Sequence, residues 1–231
     1  VDVMIWTTTP WTLPSNMACA FNKSLEYAAV KIGDRYAIMT TTLIETVLSK
    51  NNLTLEGLDI IPISMEEIEK LEIAHPFIEN RKSAVVFADY VEATSGTGIV
   101  HTAPGHGLED YKTGLNYNLD IYCPVDREGK YTSDYKEMEG VRVTDANPKI
   151  IEILKNNGRL FYKEDISHSY PICWRCKNPL IFRATDQWFM NMKHDNIDER
   201  TVKSLENIKW YPIWGHDRMK KMLDNRPDWC L

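Results

Sequence analysis

The stretch WTTTPWTLPSN, at residues 6–16, concentrates side chains that can hold a small polar molecule. It contains five hydroxyl groups, two tryptophans, two prolines and one asparagine. Hydroxyl and amide groups both donate and accept hydrogen bonds, so Thr7, Thr8, Thr9 and Asn16 can orient a ligand, although they are poor general bases. Each proline removes a backbone donor and constrains the residue before it. The stretch therefore predicts a strand that breaks into a turn, not an ordinary helix.

A second stretch, GTGIVHTAPGHGLEDY at residues 96–111, predicts a strand, a glycine-bounded turn and a helix that begins near Leu108. His101 falls on the strand and Asp110 in the first turn of the helix. An imidazole and a carboxylate at the mouth of a loop can hold a cationic or polar ligand. Two alternatives stay open: His101 as a hydrogen-bonded wall residue, and Glu109 as an acidic residue that favours the helix dipole. The glycines match neither the Rossmann nor the P-loop pattern.

Cys173 and Cys176 form a CxxC pair, which is the spacing of half a structural zinc site. Zinc normally takes four ligands, and the other three cysteines include no second pair, although His168 lies five residues upstream of Cys173. Zinc at this pair is one interpretation; two reduced thiols on a knuckle-like turn are the other. Nothing around the pair predicts the βαβ setting of a thioredoxin-like exchange motif.

The period of the apolar residues predicts the elements that must position these side chains. Helix 65–71 has a capping box in Ser64 and Glu67, and helix 148–157 has Asn147 as N-cap and Pro148 at its first position. Because strands and helices interleave without a repeated βαβ rhythm, we expect an α+β fold around a mixed or barrel-like sheet. The predicted strands cover 27–32, 35–40, 85–91 and 98–102, and the predicted helices cover 43–50, 65–71, 148–157, 202–208 and 219–223.

Composition is that of a globular protein that can bury a sizeable core, with 231 residues and 43% hydrophobic content. No apolar run approaches the ~20 residues of a membrane span, and no signal peptide opens the sequence. Five cysteines with one close pair do not resemble a secreted disulfide framework. We therefore expect a cytoplasmic protein without a membrane partner. The first residue, Val1, is not an initiator methionine, which we interpret as a fragment of a larger polypeptide.

The net charge of −6 argues against a nonspecific nucleic-acid coat, because such binding uses Lys and Arg to neutralise phosphates. The charge is uneven, since residues 175–231 carry 11 Lys and Arg against 8 Asp and Glu. This segment can face phosphate, or it can be a solvated helix with internal salt bridges.

Three stretches taken together closely resemble the editing insertion, called connective peptide 1, of the isoleucyl-tRNA synthetases: WTTTPWTLPSN, GTGIVHTAPGHGLEDY, and SYPICWRCKNPLIFRATDQWF at residues 169–189. The resemblance covers nearly the whole chain, with the motifs in the same order. The related valyl and leucyl enzymes usually carry an arginine where this sequence has Thr9, so the threonine run favours the isoleucine branch. The ending RPDWCL resembles the point where the chain of that family re-enters its nucleotide-binding domain.

The resemblance implies the β-barrel-like editing fold of the class I synthetases, with helices around it, over residues 1–180. Residues 181–231 would be a stem that returns to the catalytic domain of the parent enzyme. The implied activity is hydrolysis of valine from mischarged tRNA(Ile), and also of valyl-adenylate. A synthetic site for isoleucine cannot strongly reject valine, because one methylene is worth only ~1–3 kcal/mol, and isoleucyl-tRNA synthetase is a standard example of that limit. A second pocket too small for isoleucine removes the error.

The resemblance also implies roles for the polar residues of the two stretches. The three threonines at 7–9 and Asn16 would orient a water and a ribose hydroxyl, so that hydrolysis proceeds by water positioning and transition-state hydrogen bonding, assisted by the vicinal hydroxyl of the substrate. Asp110 would bind the α-ammonium group, and His101 would line the side-chain pocket and set its size limit.

The remaining substrate-binding candidates are Trp11, Thr12, Gly105 and His106, and two of them have a purely structural alternative role. Trp11 would pack beside the terminal adenosine, since aromatic rings stack on unpaired bases, or it is a core tryptophan. Thr12, Gly105 and His106 would line the pocket, and Thr12 has the alternative role of a turn residue.

Two other functions remain open at this point: a noncatalytic tRNA-binding module with a zinc-ribbon element, and the editing domain of the valyl enzyme. Editing itself implies no cofactor. Zinc would bind only at the incomplete CxxC pair. ATP would serve only the parent enzyme, because the ATP-binding signatures of the synthetases are absent from this sequence. The implied partners are the acceptor end of tRNA(Ile) carrying valine, and the rest of the parent synthetase.

Overall fold

The hairpin predicted over residues 27–40 is present in the computed structural model, which describes residues 1–167, 169–224 and 226–231. Its two strands pair in antiparallel register from Tyr27 opposite Thr40 to Ile32 opposite Arg35. Gly33 opens the two-residue turn with a φ of +61°, a conformation that glycine adopts without steric strain. The chain divides into two units, residues 1–184 and 185–231. The stem role predicted for residues 181–231 stays a prediction.

The strands are β1 (Asp2–Val3), β2 (Ala18–Phe21), β3 (Tyr27–Ile32), β4 (Arg35–Thr40), β5 (Ile60–Ile63), β6 (Ile73–Ala74), β7 (Lys82–Phe87), β8 (Val100–Thr102), β9 (Phe189–Met190) and β10 (Trp229–Cys230). The α-helices are α1 (Ile44–Ser49), α2 (Met65–Glu69), α3 (Leu108–Asn116), α4 (Val143–Asn156), α5 (Ile197–Ser204) and α6 (Gly215–Asp224). Short 3₁₀ helices cover Pro10–Ser15, Thr41–Leu43, Ser133–Met138, His194–Asn196 and Leu205–Asn207.

Two four-stranded sheets form the framework of the first unit, in the orders β1-β4-β3-β5 and β6-β7-β2-β8. Each is mixed, because β1 runs parallel to β4 and β2 runs parallel to β7, whereas the other pairs are antiparallel. The predicted α+β class is confirmed. In the described residues, however, the strands do not close into one barrel, because closure requires every strand to pair on both sides and β1, β5, β6 and β8 each pair on one side only.

Most predicted elements are present with shifted ends. The capping box of Ser64 and Glu67 starts α2 as predicted. The predicted strand 85–91 lies instead at β7. The helix predicted at 202–208 is observed as α5 and the 3₁₀ helix that follows it, over 197–207, and the helix predicted at 219–223 lies within α6. The largest error is α4, which begins at Val143 and carries Pro148 inside it. Its apolar residues Val143 and Ala146 pack in the core, so burial extends the helix five residues before the predicted start.

The 3₁₀ helix Pro10–Ser15 packs against α4 and is the centre of one hydrophobic cluster. Asn147, which had been expected to cap α4, instead accepts a hydrogen bond from the Trp11 backbone N–H, with 2.9 Å between Trp11 N and Asn147 Oδ1. The Tyr131 hydroxyl donates to the Trp11 carbonyl oxygen. The cluster consists of Trp11, Leu13, Val125, Tyr131, Tyr135, Met138, Val143, Ala146 and Ile150.

The second unit contains α5, α6 and an antiparallel pair of β9 with β10. Leu205 is buried in it, and its carbonyl oxygen accepts a hydrogen bond from the Trp210 indole at 3.1 Å. Across the described ranges of both units, no helix combines the length and the apolar character needed to cross a bilayer.

Candidate functional site

The threonine run lies between β1 and the 3₁₀ helix, with a bend at Thr8; the break predicted for residues 6–16 is present, but the strand predicted to lead into it is not part of this stretch. The Thr9 backbone N–H donates to the Thr7 hydroxyl at 3.0 Å, and the two hydroxyl oxygens lie 3.4 Å apart. Pro10 occupies the first position of the 3₁₀ helix, where a missing N–H costs nothing, and the helix ends within two turns. Thr8 is exposed, whereas Thr7 and Thr9 are partly buried. The run therefore presents hydroxyl groups at the surface of the first unit.

His101 is bound at both ring nitrogens by residues of the first stretch. Its Nδ1 lies 2.7 Å from Asn16 Nδ2, and its Nε2 lies 2.9 Å from the Thr12 hydroxyl. Asn16 Nδ2 also donates to the Ala18 carbonyl at 2.9 Å, so this end of the amide is the NH₂ group. The ring nitrogen Nδ1 must therefore accept, and the neutral ring carries its hydrogen on Nε2.

This hydrogen-bond direction continues to the threonine run. The Nε2–H group of His101 donates to the Thr12 hydroxyl, which in turn donates to the Thr9 carbonyl oxygen at 3.0 Å. Burial, together with smaller contributions from the nearby imidazoles of His75 and His106, lowers the pKa of His101 to about 3. His101 is therefore a neutral, buried side chain near pH 7.

Two more buried histidines hold the 3₁₀ helix from other sides. His75 Nδ1 accepts from the Phe77 and Ile78 backbone N–H groups, so its Nε2–H donates to the Leu13 carbonyl at 2.9 Å. Burial lowers the pKa of His75 to about 4. His75 thereby fixes the backbone of the 3₁₀ helix at Leu13.

His106 holds the last residue of the same helix. Its Nδ1 donates to the Phe182 carbonyl at 3.0 Å, so its Nε2 accepts from the Ser15 hydroxyl at 3.0 Å. The His106 ring packs edge-on against Trp11, with the ring centroids 5.0 Å apart. Burial also lowers the pKa of His106. His106 is thus a neutral side chain that packs against the 3₁₀ helix and hydrogen-bonds to its last residue.

Asp110 lies in the first turn of α3 and turns back towards β8. Its Oδ2 accepts a hydrogen bond from the Ala103 backbone N–H at 2.9 Å, two residues beyond His101. Burial raises the pKa of the Asp110 carboxyl, and the Ala103 hydrogen bond opposes that rise. Among the described residues no side chain or backbone group donates to Oδ1. This oxygen can therefore bind a cationic group.

Three of the candidate residues are buried and are held by contacts within the protein. Trp11 is a core residue with only 7% of its surface exposed, so its ring is not available to stack on an adenosine. Asn16 is buried and both ends of its amide are bonded. Gly105 is buried where a Cβ atom would come 2.4 Å from the Tyr122 carbonyl oxygen, so its lack of a side chain reflects close backbone packing.

The Cys173–Cys176 pair forms an exposed knuckle away from this network. The Lys177 N–H donates to the Cys173 carbonyl at 2.9 Å, and Lys177 has a φ of +61°. Backbone N–H groups of Cys176 and Arg175 lower the pKa of Cys173, which favours the thiolate that metals bind. Among the described residues no group of three or more His, Cys, Asp or Glu side chains could hold a metal ion. His168, an upstream candidate, lies outside the described residues.

Sequence reasoning missed Ser83 and His75, which bind the first stretch, and it also missed Ser15, whose hydroxyl donates from within that stretch to His106. Ser83 lies on β7 at a buried position between exposed Lys82 and Ala84, and its hydroxyl donates to Asn16 Oδ1. The predicted strand began at residue 85, two residues after Ser83, so nothing in the sequence marked the inward position of Ser83. No pattern marks His75 or Ser15 either.

The comparisons with known proteins agree on one family. The model of the family described as tRNA synthetases class I (I, L, M and V) matches residues 3–231. The chain is 77% identical over 231 residues to an isoleucine–tRNA ligase of Brachyspira hyodysenteriae, which covers all of this chain and 25% of that protein. It is 44% identical over 230 residues to an isoleucine–tRNA ligase of Thermotoga neapolitana, which covers 99% of this chain and 25% of that protein. The chain spans about a quarter of the length of these curated relatives.

A solved structure supports the fold. The chain is similar to the crystal structure of GlLeuRS-CP1 with a TM-score of 0.52 and 17% identity, over 71% of this chain and 84% of that chain. At this identity the likeness shows the fold alone.

Proposed function

The chain belongs to the class I tRNA synthetases (I, L, M and V), and on that premise we propose that it is the editing region of an isoleucine–tRNA ligase. Its reaction is hydrolysis of the ester between valine and tRNA(Ile), with valyl-adenylate as a second substrate. Its partners are the acceptor end of the mischarged tRNA and the rest of the ligase. The observation that carries the proposal concerns Asp110. Its Oδ2 accepts a hydrogen bond from Ala103, two residues after the neutral His101, and its Oδ1 accepts none in the described residues.

Asp110 supplies the anchor for the substrate. A free α-ammonium group distinguishes an aminoacyl ester from most other esters, and the unclaimed Oδ1 of Asp110 can pair with it. The cation also favours the charged form of a carboxyl whose pKa burial has raised. Pairing with substrate therefore offsets the burial of the carboxylate, which makes the anchor selective for a cationic ligand.

The chemical step in this proposal needs no general base from the protein. Both ring nitrogens of His75, His101 and His106 are occupied by protein hydrogen bonds, so none of these rings is free to take a proton from water. The hydroxyls of Thr7, Thr8 and Thr9 remain as groups that can orient a water against the ester carbonyl. We therefore assign hydrolysis to water positioning, with the vicinal ribose hydroxyl assisting.

The direct test measures release of valine from valyl-tRNA(Ile) by a complete isoleucine–tRNA ligase that carries these 231 residues. Asp110→Ala should lower the hydrolysis rate about 100-fold or more, because an electrostatic contact at the reacting end of the substrate is lost. Glu109→Ala is the matched control, since Glu109 is the next carboxylate along α3 and pairs with Lys112 at the surface. An Asp110→Ala enzyme that hydrolyses at the unsubstituted rate would refute the anchor. No release by the unsubstituted enzyme would favour the noncatalytic tRNA-binding module.

A second prediction concerns the size limit. His101→Ala removes the wall and should allow hydrolysis of isoleucyl-tRNA(Ile), which the unsubstituted protein rejects. His101→Gln keeps the bulk and an amide donor near the position of Nε2, so it should still reject isoleucine. The ratio of isoleucine to valine release for the two variants is the measurement. If the Ala variant still rejects isoleucine, His101 does not set the limit.

A further inference from the structure

Ser83 lies outside both motifs, on a strand of the sheet. It is hydrogen-bonded to Asn16, which in turn binds His101. It belongs to β7, which runs parallel to β2 with Ala84 opposite Ala18. Its side chain is buried, and its hydroxyl donates to Asn16 Oδ1. The described residues offer Asn16 Oδ1 no other donor.

The Ser83 contact determines how Asn16 faces His101. Oδ1 is satisfied by Ser83, and the NH₂ group is divided between the Ala18 carbonyl and His101 Nδ1. The Ala18 carbonyl can only accept, so together with Ser83 it leaves the amide one orientation in which every polar atom is paired. In that orientation His101 Nδ1 carries no hydrogen, and the ring donates from Nε2.

We propose that Ser83 is a positioning residue that holds the Asn16 amide and thereby fixes His101 in its Nε2–H tautomer. This tautomer gives Thr12 a donor, and Thr12 in turn holds the Thr9 carbonyl, so the chain Ser83–Asn16–His101–Thr12–Thr9 links the sheet to the threonine run. Ser83 acts through other residues, because its hydroxyl is bound to Asn16 inside the protein. The consequence for hydrolysis rests on the proposed function; the tautomer itself does not.

Loss of the Ser83 hydroxyl has a defined structural consequence. Asn16 Oδ1 would be buried without a partner, and turning the amide over gives it a donor in the His101 ring while giving up the hydrogen bond from Asn16 Nδ2 to the Ala18 carbonyl, so the two orientations compete. A ring that faces Oδ1 must carry its hydrogen on Nδ1, which leaves Nε2 without one, so the donor to Thr12 is lost. The hydrogen-bond chain to Thr9 would then be broken at its middle.

The test is ¹⁵N NMR of the histidine rings in the 231-residue chain at neutral pH and without substrate, with His101→Gln used to assign the His101 signals. The unsubstituted chain and Ser83→Thr, which keeps the hydroxyl, should show the Nε2–H tautomer. Ser83→Ala should show a mixture with Nδ1–H. Thr97→Val is the matched control, because it removes another buried hydroxyl that bonds the Ile99 carbonyl. Ser83→Cys, a weak donor of similar volume, replaces Ser83→Ala if that variant fails to fold.

The kinetic arm uses the complete ligase. Ser83→Ala should lower kcat for valyl ester hydrolysis about 10-fold to 100-fold, by analogy with the loss of a residue that orients a metal-binding histidine, with KM unchanged. An unaltered His101 tautomer in Ser83→Ala, or an equal change in Thr97→Val, overturns the proposal. A changed tautomer with unchanged kcat overturns its role in hydrolysis. If the unsubstituted ligase releases no valine, the proposed function fails, and the NMR result still decides the role of Ser83 in the tautomer.

Discussion

Residues 6–16 and residues 170–180 are both short segments with aromatic and polar side chains, and the structure builds them in opposite ways. In the first, every residue from Trp11 to Asn16 is buried, and the polar side chains of that part are hydrogen-bonded to histidines or to the sheet. In the second, Trp174 is 75% exposed and lies beside Arg175, and a few backbone hydrogen bonds hold the turn.

The difference shows where the partners of each segment lie. The polar groups of residues 11–16 find their partners within this chain, so burial strengthens each hydrogen bond and fixes each tautomer. The two thiols of the knuckle find no further metal-binding side chains in the described residues. One segment is therefore complete within the described residues, and the other leaves its two thiols there without further metal ligands. Each prediction below perturbs one side of this comparison.

The largest expected effect is loss of stability in acid, through the buried histidines of the complete segment. The pKa of His75 is lowered to about 4 and that of His101 to about 3, so the unfolded chain binds their protons first as the pH falls. Their stabilisation is present above about pH 6.5 and is lost as the pH falls towards 4 and 3. Each contributes roughly 3 to 5 kcal/mol, at about 1.4 kcal/mol per pKa unit. The urea midpoint measured from pH 8 to pH 4 checks this.

A substitution at His75 measures how much this one side chain contributes to the pH dependence of stability. His75→Gln keeps an amide donor for the Leu13 carbonyl but cannot titrate, so the urea midpoint should fall less steeply with pH. His194→Gln, at an exposed histidine, is the matched control. Equal pH dependence in His75→Gln and in the unsubstituted chain would show that His75 is not one of the groups responsible.

The sequence predicted the local features of the fold better than its closure. The β3–β4 hairpin, the Ser64 capping box and the start of α3 follow from residues close in sequence, and all three are present. The two open sheets and the early start of α4 depend on pairings between distant residues, which periodicity does not encode. The same holds for the site. His101 and Asp110 stood out by residue type, whereas Ser83 and His75 acquire their roles only through contacts with residues 67 and 62 positions away.

A smaller effect on the free energy of unfolding is expected for a substitution at Gly105. This substitution tests how tightly the backbone is packed around residues 11–16. A Cβ atom there would lie 2.4 Å from the Tyr122 carbonyl oxygen and 2.9 Å from Cys123 Cβ, so Gly105→Ala must displace backbone. We expect a loss of about 1–3 kcal/mol in the free energy of unfolding, measured by urea denaturation.

Gly107→Ala is the matched control for Gly105. Its backbone is extended, with a φ of −162°, and the nearest atom to a new Cβ is the flexible Asp110 side chain at 3.2 Å. Gly107 is the N-cap of α3, where Ala is less favourable than Gly, so stability should fall by at most about 1 kcal/mol, whereas valine release should fall because the carboxylate moves. Equal stability losses in the two glycine variants would contradict the close packing assigned to Gly105.

The smallest effect is expected at the knuckle. Replacing Cys173 and Cys176 together by serine should change the free energy of unfolding by less than about 0.5 kcal/mol, because the knuckle is exposed and its turn is held by backbone hydrogen bonds. Two thiolates supply half of a tetrahedral zinc site, so metal analysis of the purified chain should find less than one zinc per molecule. One zinc per chain, lost in the double serine variant, would show that this chain supplies the remaining ligands. The knuckle would then be as complete as residues 11–16, and the contrast between the two segments would disappear.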